Sequence, residues 1–161
     1  MKWGLISDTH DHLVHIRRAM DLFQRQGVER VLHLGDYGSP KSVLAMEGMN
    51  VCGVLGNNDG EILGLNRAFA SIGGVLMGQV GEFAFFGGKG VSYHGTIPTL
   101  RDALIHGGQF DLVALGHTHS PRDEWIGRTR VLNPGTAHGF GGYATVMVYD
   151  DTDGEVGLYH L

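Results

Sequence analysis

Five times along this chain an apolar run stops at a cluster of Asp, Asn or His. Lys2–Ile6 runs into Ser7-Asp8-Thr9-His10, Val31–Leu34 into Gly35-Asp36, and Val51–Leu55 into Gly56-Asn57-Asn58-Asp59. Val91–Tyr93 runs into His94-Gly95, and Leu112–Leu115 into Gly116-His117-Thr118-His119. Carboxylate, amide and imidazole are ligands for hard and borderline divalent cations. No cysteine stands among them, which excludes a structural zinc of the thiolate type. Asp8, His10, Asp36, Asn57, His94, His117 and His119 are too many ligands for one ion and suit two metals that share a carboxylate. A pair of metals ~3.5–4 Å apart can acidify a bridging water and clamp the attacking and leaving oxygens of an in-line displacement. Ser7, Ser92 and Cys52 have no base partner in the sequence, so no protein nucleophile is assigned.

The elements that must position these residues follow from the apolar pattern. Each of the five runs reads as a strand, and sites in open α/β sheets form beyond the carboxyl ends of strands. Between the first two, Leu13, Ile16, Met20 and Phe23 share one helical face, with Asp11 as the cap and Gly27 as the stop. Ser39-Pro40 opens a short helix through Val43, Leu44 and Met46, closed by Gly48. Glu61 to Gly73 is weakly patterned, loop or irregular helix. Val75–Met77 and Glu82–Phe86 read as strands, with a hairpin turn at Gly87-Gly88-Lys89-Gly90. Pro98 to Gly107 reads as a helix, and Arg130–Leu132, Tyr143–Tyr149 and Val156–Tyr159 as closing strands. Early βαβ alternation implies parallel strands with right-handed crossovers, and the closely spaced later strands imply antiparallel neighbours. The expectation is an α/β fold with two mixed sheets and helices outside.

Bulk properties narrow the function. At 161 residues with no composition shift, the chain is expected to form a single domain, 1–161. A net charge of −5 argues against an extended nucleic-acid binding surface. No apolar run approaches the ~18 residues of a membrane span, and no secretory leader is visible, so a cytoplasmic location without a membrane is expected. Cys52 is the one cysteine, so no internal disulfide can form. There are 27 glycines, more than twice the usual ~7%. They are scattered, which points to tight turns and close backbone approaches.

The ordered motifs D-x-H, G-D, G-N-x-D, H-G and G-H-x-H resemble the calcineurin-like metallophosphoesterases. The short chain resembles their small prokaryotic phosphodiesterase branch, which includes a retromer subunit. Asn133-Pro134-Gly135-Thr136 resembles that branch's late N-P-G-S/T turn, so the likeness runs from Ser7 to about Gly135. The resemblance implies a four-layer α-β-β-α sandwich. It implies one metal on Asp8, His10, Asp36 and His119, and a second on Asp36, Asn57, His94 and His117, with Asp36 as the bridge. Manganese is the ion expected, with iron, nickel, cobalt and zinc as alternatives. The activity implied is hydrolysis of a small phosphodiester by a metal-bridging hydroxide, and the assembly implied is a homodimer or homotetramer. The rival readings are a non-catalytic binding scaffold on the same fold and a dinuclear hydrolase of another ester.

One departure bears on mechanism. The wider family often carries histidine in its G-N-H-D/E motif as general acid, and this chain has Asn58 there. An amide cannot deliver a proton at neutral pH. Asn58 and Asp59 are therefore expected to support the site, with Asp59 either bracing the ligands or merely forming a turn. Among the remaining histidines, His33 is expected to pack in the core, His12, His15, His106 and His160 to lie on the surface, and His138 to be the one that could touch substrate. Cys52, Trp3, Phe83, Phe85 and Phe86 read as core.

Overall fold

The computed structural model describes residues 1–161. In chain order the elements are β1 (Lys2–Ile6), α1 (Leu13–Gln26), β2 (Arg30–His33), α2 (Pro40–Leu44), β3 (Val51–Gly53), α3 (Ile62–Ser71) and β4 (Val75–Leu76). They continue as β5 (Val80–Phe85), β6 (Gly88–Tyr93), α4 (Pro98–His106), β7 (Leu112–Leu115), β8 (Pro121–Ile126), β9 (Thr129–Pro134), β10 (Thr145–Asp150) and β11 (Val156–His160).

The strands form two mixed sheets, one in the order β11-β10-β1-β2-β3-β4 and the other β5-β6-β7-β9-β8. In the first, β1 to β4 are parallel and β10 and β11 antiparallel. In the second, β6, β7 and β9 are parallel, with antiparallel partners at both edges.

Period-2 alternation decides which face each side chain serves. Trp3 and Leu5 of β1 point between the sheets, where they meet Leu32, Leu112, Leu132 and Tyr149. Ile6 points the other way, into the core formed with Ile16 and Phe23 of α1, Val43 of α2 and Leu65 and Phe69 of α3. Ile105 of α4 packs against Val91, Val113 and Val131 on the outer face of the second sheet. The result is the four-layer α-β-β-α arrangement.

Several expectations shift. Glu61–Gly73 contains a regular helix, α3, because Leu65, Ala68 and Phe69 give it a buried stripe. β8 has no counterpart in the apolar pattern: it is a polar edge strand, Pro-Arg-Asp-Glu-Trp-Ile, paired only with β9. Edge strands need no second buried face, so their sequences carry little signal. The β5–β6 turn lies at Phe86-Gly87, and Gly88 to Gly90 belong to β6. Phe86 at that tip is 79% exposed and is no core residue. Cys52 is only half-buried. His12 caps α1, its Nδ1 accepting the His15 N–H at 3.2 Å, in place of the expected Asp11. Asp11 instead accepts from the Ser39 and Ser42 hydroxyls at 2.7 and 2.9 Å. Those bonds and Lys41 outweigh the burial of Asp11 and hold its carboxyl below the usual range. His12 and His15 stack on each other at 3.7 Å and are half-buried, not free surface groups. No helix is long and apolar enough to cross a membrane.

Candidate metal centre

The carboxyl ends of the parallel strands in both sheets face a common space. The loop after β1 is tied to that after β2 by Asp8 N–H to Gly35 O (3.0 Å), and the loop after β6 to that after β7 by Gly116 N–H to His94 O (3.0 Å). The two sheets are joined by the His94 Nδ1–Leu34 O hydrogen bond at 2.7 Å. That bond leaves Nε2 as the nitrogen facing the site.

At the centre are two carboxylates, Asp8 and Asp36, both buried. Asp36 Oδ2 lies 3.4 Å from His10 Nε2, and Asp36 Oδ1 lies 3.4 Å from His94 Nε2. Asp8 Oδ1 lies 3.1 Å from His119 Nε2 and 4.0 Å from His94 Nε2. Asn57 Oδ1 lies 3.0 Å from His94 Nε2. Two donor groups follow: Asp8, His10 and His119, and Asp8, Asp36 and His94. The His117 ring stands 5.1 Å from that of His94, centroid to centroid, and its ring nitrogens fall outside both groups. Its backbone N–H instead holds Asp8 Oδ2 at 3.1 Å. Thus six of the seven expected residues are drawn tightly together and His117 flanks them. Asp8 as well as Asp36 lies between the two halves.

These residues fit divalent cations on three grounds. Two donors each ~2.0–2.2 Å from one ion, at ordinary coordination angles, stand ~2.9–3.6 Å apart, which matches most of the separations above. His10 Nε2 is buried without a hydrogen-bond partner, and such an atom is costly unless something satisfies it. Five of the seven residues, Asp8, His10, Asp36, His117 and His119, hold positive φ between 39° and 67°. That region is uncommon for residues other than glycine, and strain of this kind gathers at functional sites.

Electrostatics agree. Burial opposes ionisation of Asp36, but hydrogen bonds from His94 and Asn58 outweigh it and hold the carboxyl far below its usual range. Burial likewise opposes the charged form of His94, and Asp36 and Asp8 overcome it, raising the imidazole above its ordinary value. The cluster attracts positive charge.

The supporting residues act through particular bonds. Asp59 is buried and accepts from the backbone N–H groups of Asp36 (2.8 Å), Tyr37 (2.8 Å) and Gly56 (2.7 Å), so it locks the Asp36 loop to the Asn57 loop. Asn58 grips Asp36 twice, with its backbone N–H on Oδ1 (2.9 Å) and Nδ2 on Oδ2 (2.8 Å). Gly56 permits this closeness, since a Cβ there would stand 2.1 Å from Asp36 Oδ1. The Asn133-Pro134-Gly135-Thr136 turn serves the site from behind. Asn133 Nδ2 holds Gly116 O at 2.8 Å, and Thr136 Oγ1 and His138 N–H hold Asp8 O.

His33 is a core residue as expected, between Thr9 Oγ1 (3.0 Å) and the Gly35 N–H (3.2 Å) and stacked on Tyr37. An aromatic wall beside the centre was not visible in sequence: Phe140 stacks on His119 at 4.6 Å and on His138 at 4.2 Å, and meets His10 edge-on at 4.8 Å. The signal that could have found it is Phe140 between Gly139 and Gly141, an aromatic in a glycine-rich loop just after the N-P-G-T turn.

Comparisons with known proteins agree with this geometry. Residues 1–154 match the model of the calcineurin-like phosphoesterase superfamily domain. The chain is 33% identical over 159 residues to phosphodiesterase MJ0936 of Methanocaldococcus jannaschii, covering 93% of each chain. It superposes on the solved structure of an archaeal phosphodiesterase with a TM-score of 0.92 at 32% identity, covering 100% of both chains. It is also similar to Vps29 of Entamoeba histolytica, with a TM-score of 0.73 at 18% identity, over 100% of this chain and 98% of that one. The chain belongs to the calcineurin-like phosphoesterase superfamily.

Proposed function

We propose that this phosphoesterase hydrolyses small phosphodiesters, using two divalent cations held by Asp8, His10, Asp36, Asn57, His94, His117 and His119. The observation that carries the reading is the Asp36 carboxyl, whose two oxygens face two different imidazoles, His10 and His94, each at 3.4 Å. Such cations supply, when bound, an acidified water and a Lewis-acidic seat for the phosphoryl oxygens. The carboxylate and amide donors suit manganese, and the four imidazoles suit iron, nickel and zinc as well.

The chain's own residues do the rest. Asp8 and Asp36 concentrate negative charge in a buried place, where it acts with little screening. His10 and His119 close one flank, and Asn57, His94 and His117 the other. Asn58 and Asp59 keep Asp36 in register. Neither buried serine at the strand ends is free to attack phosphorus: the Ser7 hydroxyl is given to Asp8 Oδ2 (2.5 Å) and that of Ser92 to Gly81 O (3.0 Å). Burial pushes the Cys52 thiol up, away from the reactive thiolate. Asn58, turned to Asp36, does not protonate the leaving oxygen, and an amide could not do so at neutral pH. That favours diesters with good leaving groups over alkyl monoesters. The scaffold reading draws on the Vps29 likeness, which at 18% identity shows fold alone.

The test is metal analysis of the purified protein, followed by a panel of aryl and alkyl phosphodiesters, monoesters and carboxyl esters. A strong chelator should abolish diester hydrolysis and added manganese restore it. Full activity in protein verified free of metal would overturn the mechanism.

A further inference from the structure

A cavity of about 130 Å³ opens directly beside Asn57. Its walls come from three segments: Leu55 and Asn57 after β3, Gln79 before β5, and Tyr93, Thr96 and Ile97 between β6 and α4. It therefore adjoins the metal centre on the side of Asn57 and His94. A larger groove of about 500 Å³, between Lys2, Gln26, Asp150 and Glu155, is lined by none of the seven centre residues.

The chemistry of the small cavity is distinctive. Leu55, Ile97 and the Tyr93 ring are apolar. Tyr93 Oη accepts the Ile97 N–H at 2.8 Å, which leaves its own proton to donate. Gln79 and Thr96 add an amide and a hydroxyl. None of its lining residues is charged. An empty apolar cavity of ~150 Å³ is known to admit one benzene ring, so this volume suits a single ring. A charged group placed here would meet Leu55, Ile97 and the Tyr93 ring without gaining an ionic partner, so the lining favours an uncharged one. A phosphodiester carries one negative charge, and that charge belongs at the cations, so an arm reaching this cavity is neutral.

Resting on the phosphodiesterase reading, we propose that this cavity is the subsite for one ester arm, and that it takes an uncharged, ring-sized substituent. The substrate class is then a phosphodiester with a neutral cyclic group on one arm. Leu55 and Ile97 clasp the ring faces, and Tyr93, Gln79 and Thr96 meet polar atoms on its edge.

Non-hydrolysable monoanionic phosphinates, whose phosphorus carries two P–C bonds and no ester, test this on the manganese-loaded protein, with binding measured by calorimetry. Dimethylphosphinate occupies the anion site alone, methyl(phenyl)phosphinate adds a neutral ring, and its 4-carboxyphenyl analogue adds a charged one. The phenyl compound should bind roughly 10-fold or more tightly than the methyl compound, and the carboxyphenyl compound should lose that gain. Ile97→Trp, at an exposed position that tolerates bulk, should erase the ring's advantage over the methyl compound. Gln79→Lys, also at the surface, should restore binding of the carboxyphenyl compound by supplying the missing charge. If methyl binds but phenyl binds no better, or the advantage survives Ile97→Trp, the subsite is wrong while the phosphodiesterase reading stands. If the carboxyphenyl compound matches the phenyl one in the wild type, the requirement for neutrality is overturned. If neither the methyl nor the phenyl compound binds, the phosphodiesterase reading itself fails and the subsite falls with it.

Discussion

Replacing Asn58 by Ala should loosen metal binding without removing any metal ligand. Asn58 holds Asp36 through Nδ2 on Oδ2 at 2.8 Å and through its backbone N–H on Oδ1 at 2.9 Å, and only the second bond survives truncation. A hydrogen bond to a charged acceptor is worth ~1.5–3 kcal/mol. Asn58 is solvent-exposed, which puts this bond at the lower end. About 1.4 kcal/mol is a factor of ten, so metal affinity in Asn58→Ala should fall ~10-fold, the low end of the ~10–100-fold seen when residues supporting metal ligands are lost. Competition against a chromophoric chelator measures this directly. The same geometry governs the leaving group. Because Nδ2 is committed to Asp36, wild-type kcat/KM should fall steeply as leaving-group pKa rises. General acid catalysis contributes ~10²–10⁴-fold where it operates, so that is the scale of what alkyl esters forgo. Asn58→Ala at saturating metal should keep the same slope. Asn58→His should flatten it if the imidazole turns from Asp36 toward the leaving oxygen. Unchanged metal affinity in Asn58→Ala would refute the clamp. A flat leaving-group series in the wild type, at rates limited by chemistry, would refute the missing acid, and His138, 6.2 Å from the His10 ring, would be the first alternative.

Asp36→Ala should lose both metals, since its two oxygens face the two halves of the centre. His119→Ala should empty mainly the half shared with His10, and His117→Ala the half shared with His94. Metal counting on each variant decides, and two metals retained in Asp36→Ala would disprove the shared role. His33 should make the metal-free protein acid-labile. Full burial pushes its imidazole down to about 3 from an ordinary 6.5, with His94 adding to the effect. A folded value below the unfolded one means stability is full above pH ~6.5 and is lost as pH falls toward 3, by ~1.4 kcal/mol per unit. Between pH 7.5 and 5 the wild type should therefore lose ~2 kcal/mol more than His33→Gln in urea unfolding. Equal losses in the two proteins would show that His33 does not drive the effect.

Much of the centre was legible because its signal is local. A buried parallel strand is a short apolar run, and the polar residue ending it marks the place where the chain leaves the sheet. Val31–Leu34 followed by Gly35-Asp36 is such a case, and β2 ends at His33, one residue earlier than the apolar run. β8 and α3 were less legible because their burial is one-sided or slight. Phe86 illustrates the opposite error: its aromatic neighbours Phe83 and Phe85 point inward, and Phe86 falls on the hairpin tip, where the strand alternation has already ended.

What the sequence offers by itself is a set of candidate donors and their order, because residue type dictates ligand chemistry and apolar periodicity dictates which residues terminate strands. It also excluded a thiolate site, and the family resemblance implies that Asn58 stands where a histidine acid often does. Tertiary structure alone decided how those donors are shared. Asp8 lies beside both His119 and His94, His117 stands outside the tight groups, and the Asn58 amide is given to Asp36. It also decided that Asp59 braces two loops, and that Phe140 meets His10 and His119 from distant parts of the chain as well as its neighbour His138. These facts depend on separations of a few ångström between segments far apart in sequence. Such distances arise from sheet pairing, crossover handedness and left-handed turns acting together, and none of these is written in any one stretch of residues.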